Sequence, residues 1–273
     1  MLNLIKMDFY RLFRTKAVRV GAIVTVCFAF LTSLLNLGIL EIIKISLEED
    51  PKAADGLGEF FSVIGWINGV DFAQVVLTGT GMLSLFLSCM IAASFLGGEQ
   101  SCGFAKNIAG QIPNRGLMIV SKFSATCFIQ LMVLVIYTVV CSICAPIFFG
   151  SYITSYSIGT LIGGLALRFI LFCAIDAVLL FFCTLAKSHA VAMVIGAIFG
   201  IGVTSLIYML TNALLNMVNI KIDIAKLMPD GINGLISASS LGDIVVRAII
   251  VTVVFVSVFL TGAALLYKKR DVK

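Results

Sequence analysis

The stretch LIGGLALRFILFCAIDAVLLFFCTLA, residues 161–186, decides the fold that the sequence predicts. It contains only two charged residues, Arg168 and Asp176. A helix needs about 20 mostly apolar residues to cross a bilayer, and this stretch is longer than that. It therefore predicts a membrane-spanning helix.

Five further stretches of the same character bring the predicted total to six spans. The chain is 60% hydrophobic and 12% charged, with a mean hydropathy of +1.13, so it has too little charge to cover a soluble globule. We predict an all-α, polytopic membrane protein with an N-terminal interfacial helix at 1–16, one transmembrane domain at 17–267 and a basic tail at 268–273. The six spans lie at about 18–40, 75–97, 123–146, 161–186, 190–215 and 244–266.

The charges between the spans predict the orientation of the chain. The first, third, fifth and seventh polar pieces are net positive, the second and sixth are net negative, and the fourth is uncharged. Lys and Arg concentrate on the cytoplasmic side of membrane proteins. The pattern therefore predicts that both termini are cytoplasmic. It also accounts for the net charge of +5 without a nucleic-acid partner.

Two segments beside the first span are amphipathic. In residues 1–16, apolar side chains recur at helical spacing, with Lys6, Arg11 and Arg14 elsewhere on the wheel. Such a helix lies among lipid headgroups, either as a simple basic anchor or as a lever leading into the first span. The loop at 41–74 begins acidic and becomes apolar, which predicts an interfacial or re-entrant helix that serves as an anchor or a gate.

Small and polar residues recur every four positions on two of the spans. Residues at this spacing are neighbours on a helix. Small ones allow close helix approach, and polar ones are costly against lipid. The stripes are candidates for packing within the chain, for a dimer seam or for the wall of a translocation path. They comprise Thr80, Ser84 and Ser88 in the second span and Gly196, Gly200, Thr204, Tyr208, Asn212 and Asn216 in the fifth.

Arg168 and Asp176 are the charges inside the fourth span. Each costs about 2.5–3.5 kcal/mol at mid-membrane. Eight residues of helix rise about 12 Å, so the two side chains cannot pair with each other. We expect each of them to have a partner on another helix or another subunit, in a transport role or a structural one.

Motifs of the common catalytic classes are missing from the sequence. There is no GxxxxGK[ST] phosphate loop, no HExxH and no GxSxG, and the single histidine is His189. We therefore expect no enzymatic activity and no metal site, with any ATP hydrolysis in another polypeptide. A non-transporting anchor or sensor, an intramembrane enzyme and a channel are the alternatives to a transporter.

Three segments carry a family resemblance. They are Glu99…Gly103…Lys106-Asn107…Arg115…Ser121-Lys122 in the loop before the third span, Met7-Asp8-Phe9-Tyr10-Arg11-Leu12-Phe13-Arg14 at the N-terminus, and Tyr267-Lys268-Lys269-Arg270-Asp271 at the C-terminus. Together they resemble the bacterial ATP-binding cassette (ABC) permeases of type 2.

The resemblance implies a subunit of the bacterial cell membrane that pairs with a second copy or a related permease. Two separate ATP-binding cassette subunits would bind ATP and Mg, and this chain would bind no cofactor. Members of the family export antimicrobial peptides, antibiotics, lipids or polysaccharide, and some confer immunity or resistance. We expect an amphipathic peptide, an antibiotic or a lipid-like substrate. The resemblance implies that a set of residues couples this chain to the ATPase subunits. They are Glu99, Gly103, Lys106, Asn107, Arg115, Arg11 and Arg14.

Overall fold

The computed structural model describes residues 2–49, 69–101, 116–186, 189–217, 223–237 and 241–269. These residues form ten α-helices, one 3₁₀-helix and two short strands, so the predicted all-α fold is confirmed. In chain order the elements are α1 (Leu2–Arg14), α2 (Lys16–Glu49), β1 (Val70–Asp71), α3 (Phe72–Gly79), α4 (Met82–Ser101), α5 (Gly116–Phe149), β2 (Ile153–Ser155), α6 (Ile158–Ala186), α7 (His189–Ile201), α8 (Val203–Met217), the 3₁₀-helix (Ile224–Leu227), α9 (Pro229–Gly234) and α10 (Leu241–Lys269).

Several of these helices are long and apolar enough to cross a bilayer. Within the described residues, five stretches meet this criterion, and α7 with α8 forms a sixth if the pair counts as one bent span. The protein is therefore a polytopic membrane protein, as predicted. The five stretches are Lys16–Ile42, Phe72–Gly98, Gly116–Phe149, Ile158–Ala186 and Ile244–Lys268.

Two of the predicted spans, at 75–97 and 190–215, are interrupted rather than continuous. The first breaks at residues 80–81, between α3 and α4. The second breaks at Gly202, where α7 and α8 meet at 65°. Gly202 has a φ of +79°, in the left-handed region that favours glycine. Hydropathy is an average over many residues, so a break of one or two residues does not change it. The sequence pattern therefore missed both breaks.

These two interruptions lie against each other. A side chain at Gly202 would collide with the side chain of Met82, and a side chain at Gly200 would collide with Phe86. Gly196 packs against the same helix, α4. The small residues of the fifth span thus allow α7 to approach α4 closely, as small residues do in membrane helix pairs.

Helix α6 forms the centre of the bundle. In its most apolar stretch 61% of the residues are buried inside the protein, compared with 17% in the corresponding stretch of α10. It contacts α5, α9 and α10. The outer helices leave large apolar side chains exposed, because lipid tails solvate them as well as a protein interior does. The charged residues of α6 therefore lie in the protein interior rather than against lipid.

One end of the bundle, which we call the strand end, is joined by the parallel pair β1 and β2. The Val70 amide donates to the Tyr152 carbonyl at 2.9 Å. The Asp71 carboxylate accepts from the amides of Ala73 at 2.9 Å and Ser157 at 3.1 Å. Partial burial disfavours the charged form, but hydrogen bonds from Ser157 and Ala73 outweigh it and lower the pKa of Asp71. This carboxylate ties the start of α3 to the start of α6.

Helix α1 packs at the opposite end of the bundle, against the beginning of α5. The Ser121 hydroxyl donates to the Asp8 carboxylate at 2.5 Å, and the rings of Phe9 and Phe128 lie 5.0 Å apart. Asp8 is buried in this contact. The N-terminal motif and the Ser-Lys motif of the family resemblance, distant in sequence, are therefore in direct contact.

Candidate functional site

A partly open cavity of about 810 Å³ lies between the two interrupted spans, α6 and the short helices that follow α8. Its volume falls within the range of small-molecule pockets, about 300–1,000 Å³. Apolar side chains such as Leu85 and Phe199 form part of its wall. Polar side chains enter it from four different elements, among them Gln74, Thr78, Arg168, Tyr208, Asp230 and Asn233.

The polar half of the predicted stripe on the fifth span lines this cavity along α8. Thr204, Tyr208, Asn212 and Asn216 all border it, one turn apart. The Tyr208 hydroxyl donates to the Asp230 carboxylate of α9 at 2.7 Å. The remaining surface of α8 is largely apolar and exposed. Thr204, Tyr208 and Asn212 are thus buried or partly buried, as expected where an outward polar group would meet lipid, while Asn216 is exposed.

A second contact from the same helix holds the segment after α8 beside the cavity. The Asn212 amide donates to the Asp223 carboxylate at 2.9 Å, and its carbonyl oxygen accepts from the Ile224 amide at 3.0 Å. The hydrogen bond from Asn212, supported by Lys226 at 3.2 Å, lowers the pKa of Asp223. Both ends of the Asn212 side chain are therefore engaged in building the wall.

Arg168 brings a buried guanidinium to the wall of the cavity. Its side chain is 2% exposed. Its Nη1 donates to the Leu77 carbonyl and, at 2.5 Å, to the Thr80 hydroxyl. Both acceptors belong to the break between α3 and α4. The prediction that Arg168 has its partner on another helix is confirmed.

The broken span explains why an acceptor is present at this depth. In a continuous helix the Gly81 amide would donate to the Leu77 carbonyl, but it bonds the Thr78 carbonyl instead, at 3.4 Å. The Leu77 carbonyl then accepts from side chains, namely the Thr80 hydroxyl at 3.3 Å and Arg168. An unpaired carbonyl in the bilayer core is costly. The interrupted helix and the buried arginine therefore satisfy each other.

Asp176, about two turns further along α6, has a different environment. Its Oδ1 accepts from the Gln130 amide of α5 at 2.8 Å, so its predicted partner on another helix is also confirmed. Among the described residues, its Oδ2 and the Gln130 carbonyl oxygen have no hydrogen-bond partner. Thr126 is nearby, but its hydroxyl donates to the Phe123 carbonyl at 3.0 Å. Asp176 is 1% exposed and does not border the cavity.

The predicted stripe in the second span behaves differently from the stripe in α8. Ser84 donates its hydroxyl to the Thr80 carbonyl at 2.6 Å, and Ser88 donates to the Leu85 carbonyl at 2.8 Å. Both serines are fully buried, and neither lines the cavity. Their hydroxyls are satisfied by their own helix, which is common for serine within helices. In the structure these serines, together with Gly196 and Gly200 of α7, are packing residues. The Thr80 hydroxyl accepts a hydrogen bond from Arg168.

Most of the predicted coupling residues lie outside the part of the chain that the structure describes. The backbone of Glu99 belongs to α4, but its side chain is not described. Arg11 and Arg14 lie on α1, where Arg14 is exposed and stacks over the Tyr10 ring at 4.9 Å. The coupling residues outside the described ranges are Gly103, Lys106, Asn107 and Arg115.

Three residues of these sites were missed in the sequence. Gln130 is a polar residue in an apolar span, a signal that would have identified it as a candidate partner. Asp230 and Asn233 fall in a polar stretch between predicted spans, where the sequence alone does not distinguish a helix that packs into the bundle from an ordinary loop. Only the packing of α9 against α6 brings them to the cavity.

Comparison with known proteins adds no family assignment to this geometry. Neither a protein-family model nor a curated protein sequence matches the chain. The family expected from the loop and terminal motifs therefore stays a prediction, and the functional argument depends on the site.

Proposed function

We propose that this chain is the membrane-spanning permease subunit of an exporter driven by ATP that a separate subunit hydrolyses. The observation that carries the proposal is the meeting of two interrupted spans beside a cavity that polar side chains enter, in an otherwise apolar bundle. The substrate class that fits a cavity with both apolar and polar walls is an amphipathic peptide, an antibiotic or a lipid-like molecule.

Interrupted spans support transport for a physical reason. Irregular backbone at membrane depth is tolerated only where protein or a water-filled cavity satisfies its polar groups. Transporters commonly use such discontinuous helices to build substrate sites near the bilayer midplane. Arg168 lies ten residues into α6, about 15 Å from the strand end, which is roughly half the thickness of the hydrocarbon core. A purely structural anchor has no need of a cavity with polar side chains at that depth.

The end of the bundle that carries α1 supports docking of the partner subunit. Asp8 of α1 contacts Ser121, five residues after α5 begins, and the segment 102–115 connects α4 to α5. A displacement of the beginning of α5 would therefore reach α1 directly. We assign this end, with both termini, to the cytoplasm of a bacterial cell, and the strand end to the outside. A second copy or a related permease completes the transporter.

The test is to purify the tagged chain in mild detergent from the cells that encode it. We expect a soluble ATPase subunit with a phosphate loop to copurify in stoichiometric amount, with ATPase activity that responds to an amphipathic substrate. Glu99→Ala and Arg115→Ala are expected to lower that activity and transport. Lys44→Ala, which removes an exposed basic residue at the strand end, is the matched control and leaves both unchanged.

Three other outcomes would contradict the proposal. Absence of any nucleotide-binding subunit points to the anchor or sensor alternative. Chemical turnover by the purified chain alone points to an intramembrane enzyme, and ion conduction without ATP points to a channel. A tag beside Asp50 that is reachable only from the cytoplasm would overturn the orientation.

A further inference from the structure

One edge of the Arg168 guanidinium is engaged in hydrogen bonds, and its other edge, which is also buried, includes a nitrogen with no partner among the described residues. Both of its hydrogen bonds leave from Nη1, and its Nε has no partner among the residues that the structure describes. Nη2 borders Gly81, which lines the cavity. The Nε and Nη2 donors together form the flat side of the guanidinium that binds a carboxylate or phosphate through two parallel hydrogen bonds.

Arg168 forms no ion pair within the described part of the chain. Asp230 borders the same cavity and accepts from Tyr208 at 2.7 Å, but it makes no ion pair with Arg168. Asp176 lies eight residues away on the same helix, roughly 12 Å along its axis. A buried cation costs less when an anion joins it. An anionic group entering the cavity would therefore meet both a geometric match and an unbalanced charge.

Asn233 adds a complementary group to the cavity wall. It is 5% exposed, and its Oδ1 has no partner among the described residues. This oxygen is an acceptor, so it suits a hydroxyl or amine on the ligand. Met82, Leu85, Phe199 and Leu235 supply apolar wall to the same cavity. The site thus has a cationic donor edge, a neutral acceptor and room for a hydrocarbon portion.

We propose that the cavity binds an amphiphile through its oxyacid group, a carboxylate or a phosphate ester, held by the Nε–Nη2 edge of Arg168. The inference rests on the proposed function only where it names the class of molecule that is exported. Binding itself is measured without ATP or a partner subunit. Failure of binding and failure of export are therefore separate results.

The test is a titration of the full chain in dodecyl maltoside with dodecyl phosphate and with dodecanoate, read as the shift in unfolding temperature. We expect a saturable rise in unfolding temperature for the wild type, because a ligand that binds only the folded state stabilises it. Arg168→Gln should weaken the apparent affinity by about tenfold or more, the effect expected from losing charge-assisted hydrogen bonds. Inorganic phosphate, which lacks the hydrocarbon portion, should bind far more weakly than dodecyl phosphate.

Arg247→Gln is the matched control, because it removes an exposed arginine of α10 outside the cavity and should leave the affinity unchanged. Should Arg168→Gln fail to fold, Arg168→Lys, which keeps the charge but not the planar edge, and Asn233→Leu are titrated instead, each with weaker binding expected. Nanodiscs with phosphatidylglycerol or only phosphatidylcholine show whether bilayer lipid or a soluble amphiphile is the source. An apparent affinity that is equal in wild type and in the cavity variants would overturn the proposal, as would equal binding of dodecyltrimethylammonium.

Discussion

Helix α6 carries two buried charges in two different environments. Arg168 faces a broken span and a cavity, and its hydrogen bonds use one nitrogen of three. Asp176 is buried, accepts one hydrogen bond from the Gln130 amide and does not border that cavity. In the sequence each is an isolated charged residue in the same apolar stretch, but their surroundings in the structure differ. Arg168 therefore borders the cavity, whereas Asp176 takes part in a contact between two helices.

The chemistry of the two groups accounts for this division. A guanidinium has five N–H donors in a fixed plane. Arg168 can therefore donate to the Leu77 carbonyl and the Thr80 hydroxyl at the break between α3 and α4, and still present donors to a ligand. A carboxylate has only acceptors when ionised, and Asp176 meets a single donor in an interior that offers few. The predictions below test this contrast through stability, from the largest expected effect to the smallest.

Removing Gln130 should have the largest effect. Gln130→Leu takes away the donor to Asp176 and leaves a buried carboxylate unpaired, which should lower the free energy of unfolding by about 3 kcal/mol. The measurement is unfolding of the detergent-solubilised protein in increasing dodecyl sulfate. The double variant Gln130→Leu with Asp176→Leu should recover most of the loss, because both polar groups are then gone. A loss below about 1 kcal/mol in the single variant would contradict a structural role.

Changing Gly202 tests whether the break beside the cavity is required. Gly202→Ala puts a side chain at positive φ and against Met82, and should lower the free energy of unfolding by about 2 kcal/mol in the same assay. Gly163→Ala in α6 is the control, because a Cβ there meets open space, and it should leave the stability unchanged or slightly higher. Equal behaviour of the two variants would show that α7 and α8 tolerate a continuous helix.

Replacing Arg168 should affect stability less than replacing Gln130. Arg168→Leu removes a buried charge, and the Leu77 carbonyl keeps the Thr80 hydroxyl as a donor. We therefore expect the free energy of unfolding to change by no more than about 1 kcal/mol, although ligand binding is lost. Circular dichroism of the helices with the same unfolding assay checks this. A loss as large as that of Gln130→Leu would remove the contrast between the two charges.

The smallest effect concerns a carboxylate outside the bundle core, Asp71. Its pKa in the folded protein is lowered, so its charged form adds stability above the ordinary pKa of 3.8, and that stability is lost as the pH falls through the lowered value. The difference in unfolding temperature between wild type and Asp71→Asn should therefore shrink as the pH falls from 7 to 3. A difference that stays constant with pH would show that the charge of Asp71 does not contribute.

Much of the fold could be predicted because spans depend on averaged properties of the sequence. The apolar lengths predicted the transmembrane stretches, and the spacing of Thr204, Tyr208, Asn212 and Asn216 predicted one polar face of a helix. The same spacing was less informative for Ser84 and Ser88, because a serine hydroxyl can bond its own helix and needs no polar neighbour. Periodicity identifies a shared face, but it does not say what that face contacts.

The sequence by itself determined that this protein is a bundle of apolar helices in a membrane, and that Arg168 and Asp176 need partners on another helix or another subunit. Hydrophobic length and the cost of a charge in lipid are sufficient for both conclusions. Only the tertiary structure decided which groups are those partners and which of the two charged residues borders the cavity. The reason is that Arg168 donates to the Leu77 backbone carbonyl, which the interrupted helix leaves without its usual amide donor. Every residue has a backbone carbonyl, so the sequence does not show which one the fold leaves free.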